Sequence, residues 1–180
     1  MKNVVIIGGG TGLSVMLRGM KNIKDVQLSA VVTVADDGGS TGRIRDAYNI
    51  PAMGDIRNVM CAMAEEEGLF AELMNYRFGG EGDIAGHNLG NLLLLALSQT
   101  TGSFMEAIRT FSRVLKVKGR IIPSTLEVVT LFAMMEDGTI VRGEDNIPKF
   151  RNHIDRVFYQ RDIKATEESL TAIREADLII

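Results

Sequence analysis

Cysteine is nearly absent from this sequence: Cys61 stands alone among 180 residues. A single thiol excludes an intramolecular disulfide framework and fits a reducing compartment. With only two histidines beside it, a zinc cluster of familiar composition is excluded as well. Long apolar runs are equally scarce. Val4-Val5-Ile6-Ile7 is too short for the apolar core of a secretory leader and Gly8 interrupts it, while the leucine-rich stretch 92–97 is too short to cross a bilayer. Neither sign of charge dominates: the formal net charge is −3, which leaves no global footprint for nucleic acid or an anionic membrane. Low-complexity segments and internal repeats are missing. The expectation is a cytoplasmic protein that neither binds nucleic acid nor inserts into a membrane. What is present is ordinary for a globular chain, with 46% hydrophobic and 24% charged residues and enough length for one domain with a sizeable core.

Two glycine-rich segments carry the chemistry. The apolar run 28–34 reads as a buried strand. It leads into Asp36-Asp37-Gly38-Gly39-Ser40-Thr41-Gly42-Arg43-Ile44-Arg45, which places two carboxylates, three glycines, two hydroxyls and two arginines within ten residues. That mixture suits a loop that wraps phosphates together with a magnesium ion. Glycine lets backbone N–H groups converge on an anion, hydroxyls donate to it and arginine forks onto its oxygens. The second segment follows the apolar run 2–7. Gly8, Gly9, Gly10, Thr11 and Gly12 precede Leu13, Val15, Met16, Leu17 and Met20 at roughly helical spacing. Strand, glycine turn and helix in that order put an anion at a helix N-terminus. Asp36 lies 24 residues after Gly12, where a nucleotide-binding fold offers an acid to a ribose. The dinucleotide fingerprint is not met, because Leu13 takes the place of its third glycine, and the Walker-type phosphate loop is absent.

The remaining elements follow from periodicity and boundary signals. Strand, helix and strand over 3–34 imply a parallel pair joined by a crossover. Asp55 caps a helix with Ile56, Val59, Met60 and Met63 on one face, and the acidic run 65–67 reads as a solvated, fraying turn. A short helix is expected over 69–76, a glycine loop over 79–86 and a buried helix over 87–99. Ser103 and Glu106 form a capping box for a helix over 104–115, and Thr166 caps a last helix through 176. Strands are expected over 116–122, 126–136 and 154–159, with Asp137-Gly138 turning a hairpin into 139–142. Leu178-Ile179-Ile180 starts a buried strand with no ligand-bearing loop after it. Residues 1–180 are therefore expected to form a single α/β domain, the N-terminal part of a longer chain; a true edge strand is the alternative.

Each candidate residue has a plain alternative. The turn at Gly8–Gly12 can be tight without any ligand. Asp36 and Asp37 can serve as magnesium or ribose ligands, or as a solvated turn. Ser40, Thr41, Arg43 and Arg45 read as a phosphate cradle, and the arginines can instead pair with Asp36, Asp46 or Asp55. Asn58 lies three residues beyond Asp55 on the same helical face, within reach of a pocket. His87, Asn88 and Asn91 fall at helical spacings that share a face, suited either to a ligand or to capping and a satisfied histidine. Lys116, Lys118 and Arg120 alternate, which puts three cations on one side of a strand, most simply a solvated edge. Cys61 and the methionines read as core filler.

With Gly54-Asp55-Ile56-Arg57-Asn58 and His87-Asn88-Leu89-Gly90-Asn91-Leu92 beside the two glycine segments, the chain resembles the CofD/YvcK family over essentially its whole length, and most its YvcK branch. The resemblance implies a Rossmann-like fold: a mainly parallel sheet with flanking helices, with an antiparallel hairpin in the second half. It implies a cytoplasmic bacterial protein that binds a nucleotide sugar such as UDP-N-acetylglucosamine. Ligand contacts are then expected from Gly8, Gly9, Gly10, Thr11, Gly12, Asp36, Asp37, Gly38, Gly39, Ser40, Thr41, Arg43, Asn58, His87, Asn88 and Asn91. It also implies a role in gluconeogenic growth, cell shape and cell-wall precursor supply, exercised through protein partners in cell-wall or carbon metabolism, and it leaves homo-oligomerisation open. The CofD branch is a magnesium-dependent transferase that moves a phospholactate group from a guanylated donor to a deazaflavin. A regulatory nucleotide-sugar sensor is the first reading and such a transferase the second. A nicotinamide-dependent oxidoreductase is the third, and Leu13 speaks against it.

Overall fold

The computed structural model describes residues 1–66 and 68–180, so the acidic turn expected over 65–67 includes one residue, Glu67, outside the described residues. The first half begins with β1 (Lys2–Gly8), α1 (Gly10–Met20) and β2 (Val26–Val32). Five helices follow: α2 (Gly39–Tyr48), α3 (Gly54–Met63), α4 (Leu69–Asn75), α5 (Leu89–Thr101) and α6 (Phe104–Val114). The second half contains β3 (Arg120–Pro123), β4 (Phe132–Met135), β5 (Ile140–Arg142), β6 (Ile154–Phe158), α7 (Glu167–Arg174) and β7 (Leu178–Ile179). A four-stranded parallel sheet has the order β3-β2-β1-β7, and a separate antiparallel sheet has the order β5-β4-β6. This is the expected α/β architecture, with the hairpin extended by β6 into a small sheet of its own.

β1, β2 and β3 are buried on both faces, as apolar residues at successive positions of a period-two strand require. Val4, Ile6, Leu28, Ala30, Val32 and Ile121 meet Leu17, Ile56, Met60 and Leu94 on one face. Val5, Val31 and Ile122 meet Met105 and Ala172 on the other. Local signals hold where the chemistry is self-contained. Ser103 Oγ accepts from the Glu106 N–H at 3.3 Å, and Thr166 Oγ1 accepts from the Ser169 N–H at 3.2 Å. Gly138 takes φ +82° in the hairpin turn, where the Asp137 carboxylate accepts from the Thr139 N–H at 2.9 Å. Cys61 is buried in the core with Met53, Met60, Met63 and Met74. No helix among the described residues is long and apolar enough to cross a membrane.

Three strand expectations are corrected. Lys116 and Lys118 do not alternate on a strand: Lys116 sits in a left-handed turn with φ +47° after α6, and β3 begins only at Arg120. Their cations go separate ways, Lys118 Nζ to Asn22 Oδ1 at 3.1 Å and Arg120 Nε to Ser29 Oγ at 3.1 Å. The strand expected over 126–136 is confined to Phe132–Met135, because Thr125 Oγ1 accepts from the Glu127 N–H at 3.1 Å and turns the chain there. Leu178, Ile179 and Ile180 are not buried but 51%, 48% and 44% exposed. β7 pairs with β1 on one side, and no described strand lies on its other side.

Candidate functional site

β1 and β2 run in register from Lys2↔Val26 to Gly8↔Val32, so both end at one level, and the loops that follow them emerge side by side. Carboxyl strand ends are where open α/β sheets bind ligands. The first loop is held tight. The Thr33 N–H donates to the Gly8 carbonyl at 2.9 Å, and Gly10 enters α1 with φ +63°, a conformation that favours glycine. Gly9 is extended, so its constraint is space. A Cβ there would lie 2.1 Å from Thr33 Cγ2 and 2.4 Å from Asp55 Oδ2.

Asp55 is thus a member of this site that the linear sequence did not assign to it. The expected helix cap is corrected: Met53 occupies the cap position of α3, and Asp55 lies in the first turn. Its carboxylate accepts a backbone hydrogen bond from Gly10, which ties the N-termini of α1 and α3 together. Burial raises its pKa most, with the Asp36 charge adding to it; the Gly10 N–H and Arg57 oppose. The folded state therefore binds the proton more tightly than the unfolded chain does. Stability contributed by this group is present below pH 3.8 and is lost as pH rises through the raised folded value. Asp55→Asn is expected to raise the melting temperature at pH 7, and the gain is expected to vanish on acidification. Thermal melts of both proteins across pH 3 to 8 check this, and a uniform loss of stability in the variant would contradict it.

The acidic loop divides its two carboxylates. Asp36 Oδ1 accepts from the Gly38 N–H at 2.9 Å, and its Oδ2 stands where a Gly54 Cβ would come within 2.9 Å. Asp37 Oδ1 accepts from the Asp145 N–H at 3.0 Å, and its Oδ2 is 3.9 Å from Arg45. Arg45 is buried and also donates to the Val129 carbonyl at 3.0 Å, so it works within the fold. The expected loop ends earlier than its glycines suggest. Gly39 starts α2, and the Gly42 N–H donates to the Gly38 carbonyl at 2.9 Å. Ser40 and Thr41 are therefore buried first-turn residues. The turn at 143–146 brings a second acidic pair, Glu144 and Asp145, against this loop. The pKa of Glu144 is raised, by burial first and then by Asp36, Asp37, Asp55 and Asp145. Nothing in the local sequence ties these residues to Asp37, 108 positions away from Asp145.

Ser40 joins α2 to α5. The expected helix start at His87 is corrected, because Asn88 caps α5 by accepting from the Gly90 and Asn91 N–H groups, leaving His87 outside the helix. The two still meet, through Ser40. Ser40 Oγ accepts from the Asn88 N–H at 3.2 Å and from Asn91 Nδ2 at 3.4 Å, which fills both lone pairs. With the Asn91 amide so oriented, the Ser40 proton is left for His87 Nδ1, 3.2 Å away, an arrangement that calls for the neutral Nε2–H tautomer. Burial, then Arg43 and Arg77, hold its pKa below the ordinary imidazole value. The folded state here binds the proton less tightly than the unfolded chain does. This contribution to stability is present above pH 6.5 and is lost as pH falls through the lowered folded value. Nitrogen NMR at pH 7 is expected to show the Nε2–H tautomer and a titration midpoint below 6.5. The Nδ1–H tautomer would contradict this hydrogen-bond assignment.

Four helix N-termini, those of α1, α2, α3 and α5, are linked in this way around Asp36 and Asp55. The expected residues do not all gather there. Thr11 and Asn58 line a separate cavity of about 230 Å³ with Ser14, Arg18 and Asn75. Gly12 faces open space, and exposed Arg43 donates to the Ala85 carbonyl at 2.9 Å, pinning the glycine loop. Arg57, buried behind Asn58, donates to Asn58 Oδ1 at 2.6 Å and to Asn75 Oδ1 at 3.2 Å. The Oδ1 of buried Asn91 has no donor among the described residues.

Residues 4–180 match the family described as 2-phospho-L-lactate transferase CofD, and the chain belongs to that family. The curated relatives it matches carry a more particular name. It is 49% identical to the gluconeogenesis factor of Halalkalibacterium halodurans over 180 residues, which covers 99% of this chain and 56% of the relative. It is likewise 49% identical to the gluconeogenesis factor of Bacillus subtilis over 178 residues, covering 98% of this chain and 56% of the relative. A crystal structure of a Bacillus halodurans protein superposes with a TM-score of 0.95 at 50% identity, covering 99% of this chain and 57% of the other. The chain thus spans about half the length of the curated relatives it matches.

Proposed function

We propose that this chain is the CofD-like part of a YvcK-type gluconeogenesis factor and binds a nucleotide sugar of the UDP-N-acetylglucosamine kind. It acts as a regulator of carbon metabolism and cell-wall precursor supply during gluconeogenic growth, through protein partners. The observation that carries the binding claim is the linking of four helix N-termini through Asp36, Asp55 and Ser40, beside the loops that follow β1 and β2. Helix dipoles there favour a diphosphate. Gly8, Gly9, Gly10, Gly38 and Gly39 let the backbone approach it, and buried Ser40, Asn88 and Asn91 join α2 to α5 beside it.

Magnesium fits this arrangement. The Asp36 charge adds to the burial that raises the pKa of Asp55, a repulsion that a divalent cation relieves. Among the described residues no group of three or more His, Cys, Asp or Glu is placed to hold a metal alone. Magnesium characteristically takes one or two carboxylates, several waters and substrate phosphates. We assign Asp36 as its first carboxylate, with Asp55 beside it and Asp37 fixing the loop. The same pair of carboxylates favours a second reading, a CofD-like transferase using a guanylated donor. Calorimetric titration with UDP-N-acetylglucosamine, UDP and GDP, each with and without magnesium, separates the two. Saturable UDP-sugar binding without product supports the sensor, and magnesium-dependent GDP binding in preference to the UDP ligands overturns it in favour of the transferase.

A further inference from the structure

α4 carries large apolar side chains on the face that meets water. Its inward face is Ala71 and Met74, three residues apart and both buried. Leu69, Leu73 and Tyr76, at spacings of four and three, lie on the opposite side and are 71%, 41% and 52% exposed. A surface helix ordinarily turns polar residues to that side, and one that is apolar all round is ordinarily covered all round. Phe70, a helical neighbour of Leu73, extends the apolar surface sideways. It meets Phe111 edge-on at 6.1 Å and lines a cavity of about 250 Å³ with exposed Val114 at the end of α6. The border of this surface is acidic. Glu66 and Glu72 are exposed, and no ion pair or hydrogen bond engages their carboxylates among the described residues. Lys116, at the cavity, is paired with Glu65 at 3.7 Å. The helix is anchored from beneath: buried Arg57 donates to the Met74 carbonyl at 3.3 Å, and Asn88 Nδ2 donates to the Asn75 carbonyl at 3.1 Å. Its outward face is thus preformed, which lowers the ordering cost of binding.

We propose that α4 and the end of α6 form the docking surface for a protein partner that presents a basic amphipathic helix. Leucine-sized anchors on the partner cover Leu69, Leu73 and Tyr76, and its flanking lysines or arginines face Glu66 and Glu72. The charge of the border selects this occupant. A second copy of the same face would bring two acidic borders together, and like charges across an interface oppose association. The surface names the kind of partner through which the proposed regulator acts. It includes none of the residues assigned to the nucleotide sugar, so the two readings fail separately.

The probe is a fluorescent helical peptide with leucines on one face and lysines on the other; its control has glutamates in place of the lysines. Titrated without any nucleotide, the lysine peptide is expected to give saturable fluorescence anisotropy and the glutamate peptide none. Leu69→Ser combined with Leu73→Ser is expected to weaken binding roughly tenfold or more, the effect of losing central apolar anchors. Glu66→Gln combined with Glu72→Gln is expected to weaken it severalfold and to flatten its salt dependence. All four side chains are exposed, and circular dichroism of each variant confirms an unchanged fold. Absence of saturation, equal binding of the glutamate peptide, or unchanged affinity in the folded leucine variant would each overturn the proposal. Sedimentation equilibrium of the chain alone is expected to show no dimer through this face. A dimer that the leucine substitutions dissociate would assign the face to a second copy and overturn the proposal as well.

Discussion

Asp36→Ala is expected to lower affinity for UDP-N-acetylglucosamine with magnesium by about two orders of magnitude, with the fold intact. Two losses combine. The first is the carboxylate assigned to the metal. The second is the acceptor for the Gly38 N–H, which shapes the approach to α2. Each is a hydrogen bond or contact involving a charged group, worth about 1.5–3 kcal/mol, and tenfold in affinity corresponds to about 1.4 kcal/mol. The fold tolerates the change because Asp36 is half-buried in a loop, outside the apolar core. Asp36→Asn separates the contributions: it keeps an acceptor for Gly38 and removes the charge. Calorimetry and circular dichroism together make the test. Unchanged affinity in a folded Asp36→Ala protein removes the cleft from consideration.

Gly42→Ala is expected to destabilise the protein by about 1–3 kcal/mol, the range of overpacked core positions. An added Cβ would lie 2.1 Å from the Asp37 carbonyl oxygen and 2.7 Å from its carbon. Both are backbone atoms, so no rotamer change relieves the clash, and the first turn of α2 must shift away from the acidic loop. For a chain of this size the melting temperature should fall roughly 2–12 °C. Gly12→Ala is the internal control. Gly12 lies inside α1 with nothing within 4 Å of an added Cβ. Alanine there should stabilise by about 0.5–1 kcal/mol through helix propensity. Equal effects at the two positions would contradict the packing described at Gly42.

The fold was legible wherever a segment carried its own instructions. The apolar runs 2–7 and 28–34, the caps at Ser103 and Thr166 and the Asp137-Gly138 turn depend on neighbours within a few residues, and the structure contains all of them. Alternation without such support misled. Lys116-Val117-Lys118 has strand spacing, yet the end of α6 runs on into a turn, with the Val117 N–H donating to the Ser112 carbonyl at 2.9 Å. Asn88 moved the start of α5 past His87 because a capping side chain outweighs apolar periodicity at a helix end.

The candidate site was legible in its residue types and only partly in its geometry. Asp36 and the glycines announce anion chemistry locally. That Asp55 reaches the Gly10 turn depends on how α3 packs against α1. That Ser40 meets His87, 47 residues away, depends on α2 and α5 touching at their ends. Neither follows from spacing along the chain. Gly54, where a Cβ would sit 2.6 Å from Thr41 Oγ1, is the residue whose smallness allows α2 and α3 to close around Asp36.

The most direct test of the central claim is amide chemical-shift mapping of the labelled chain with UDP-N-acetylglucosamine and magnesium. Binding at the linked helix N-termini predicts saturable shifts concentrated at Gly9, Gly10, Gly38, Gly39 and Asn88. Saturable binding that leaves those amides unmoved, or no saturation at millimolar ligand, would contradict it.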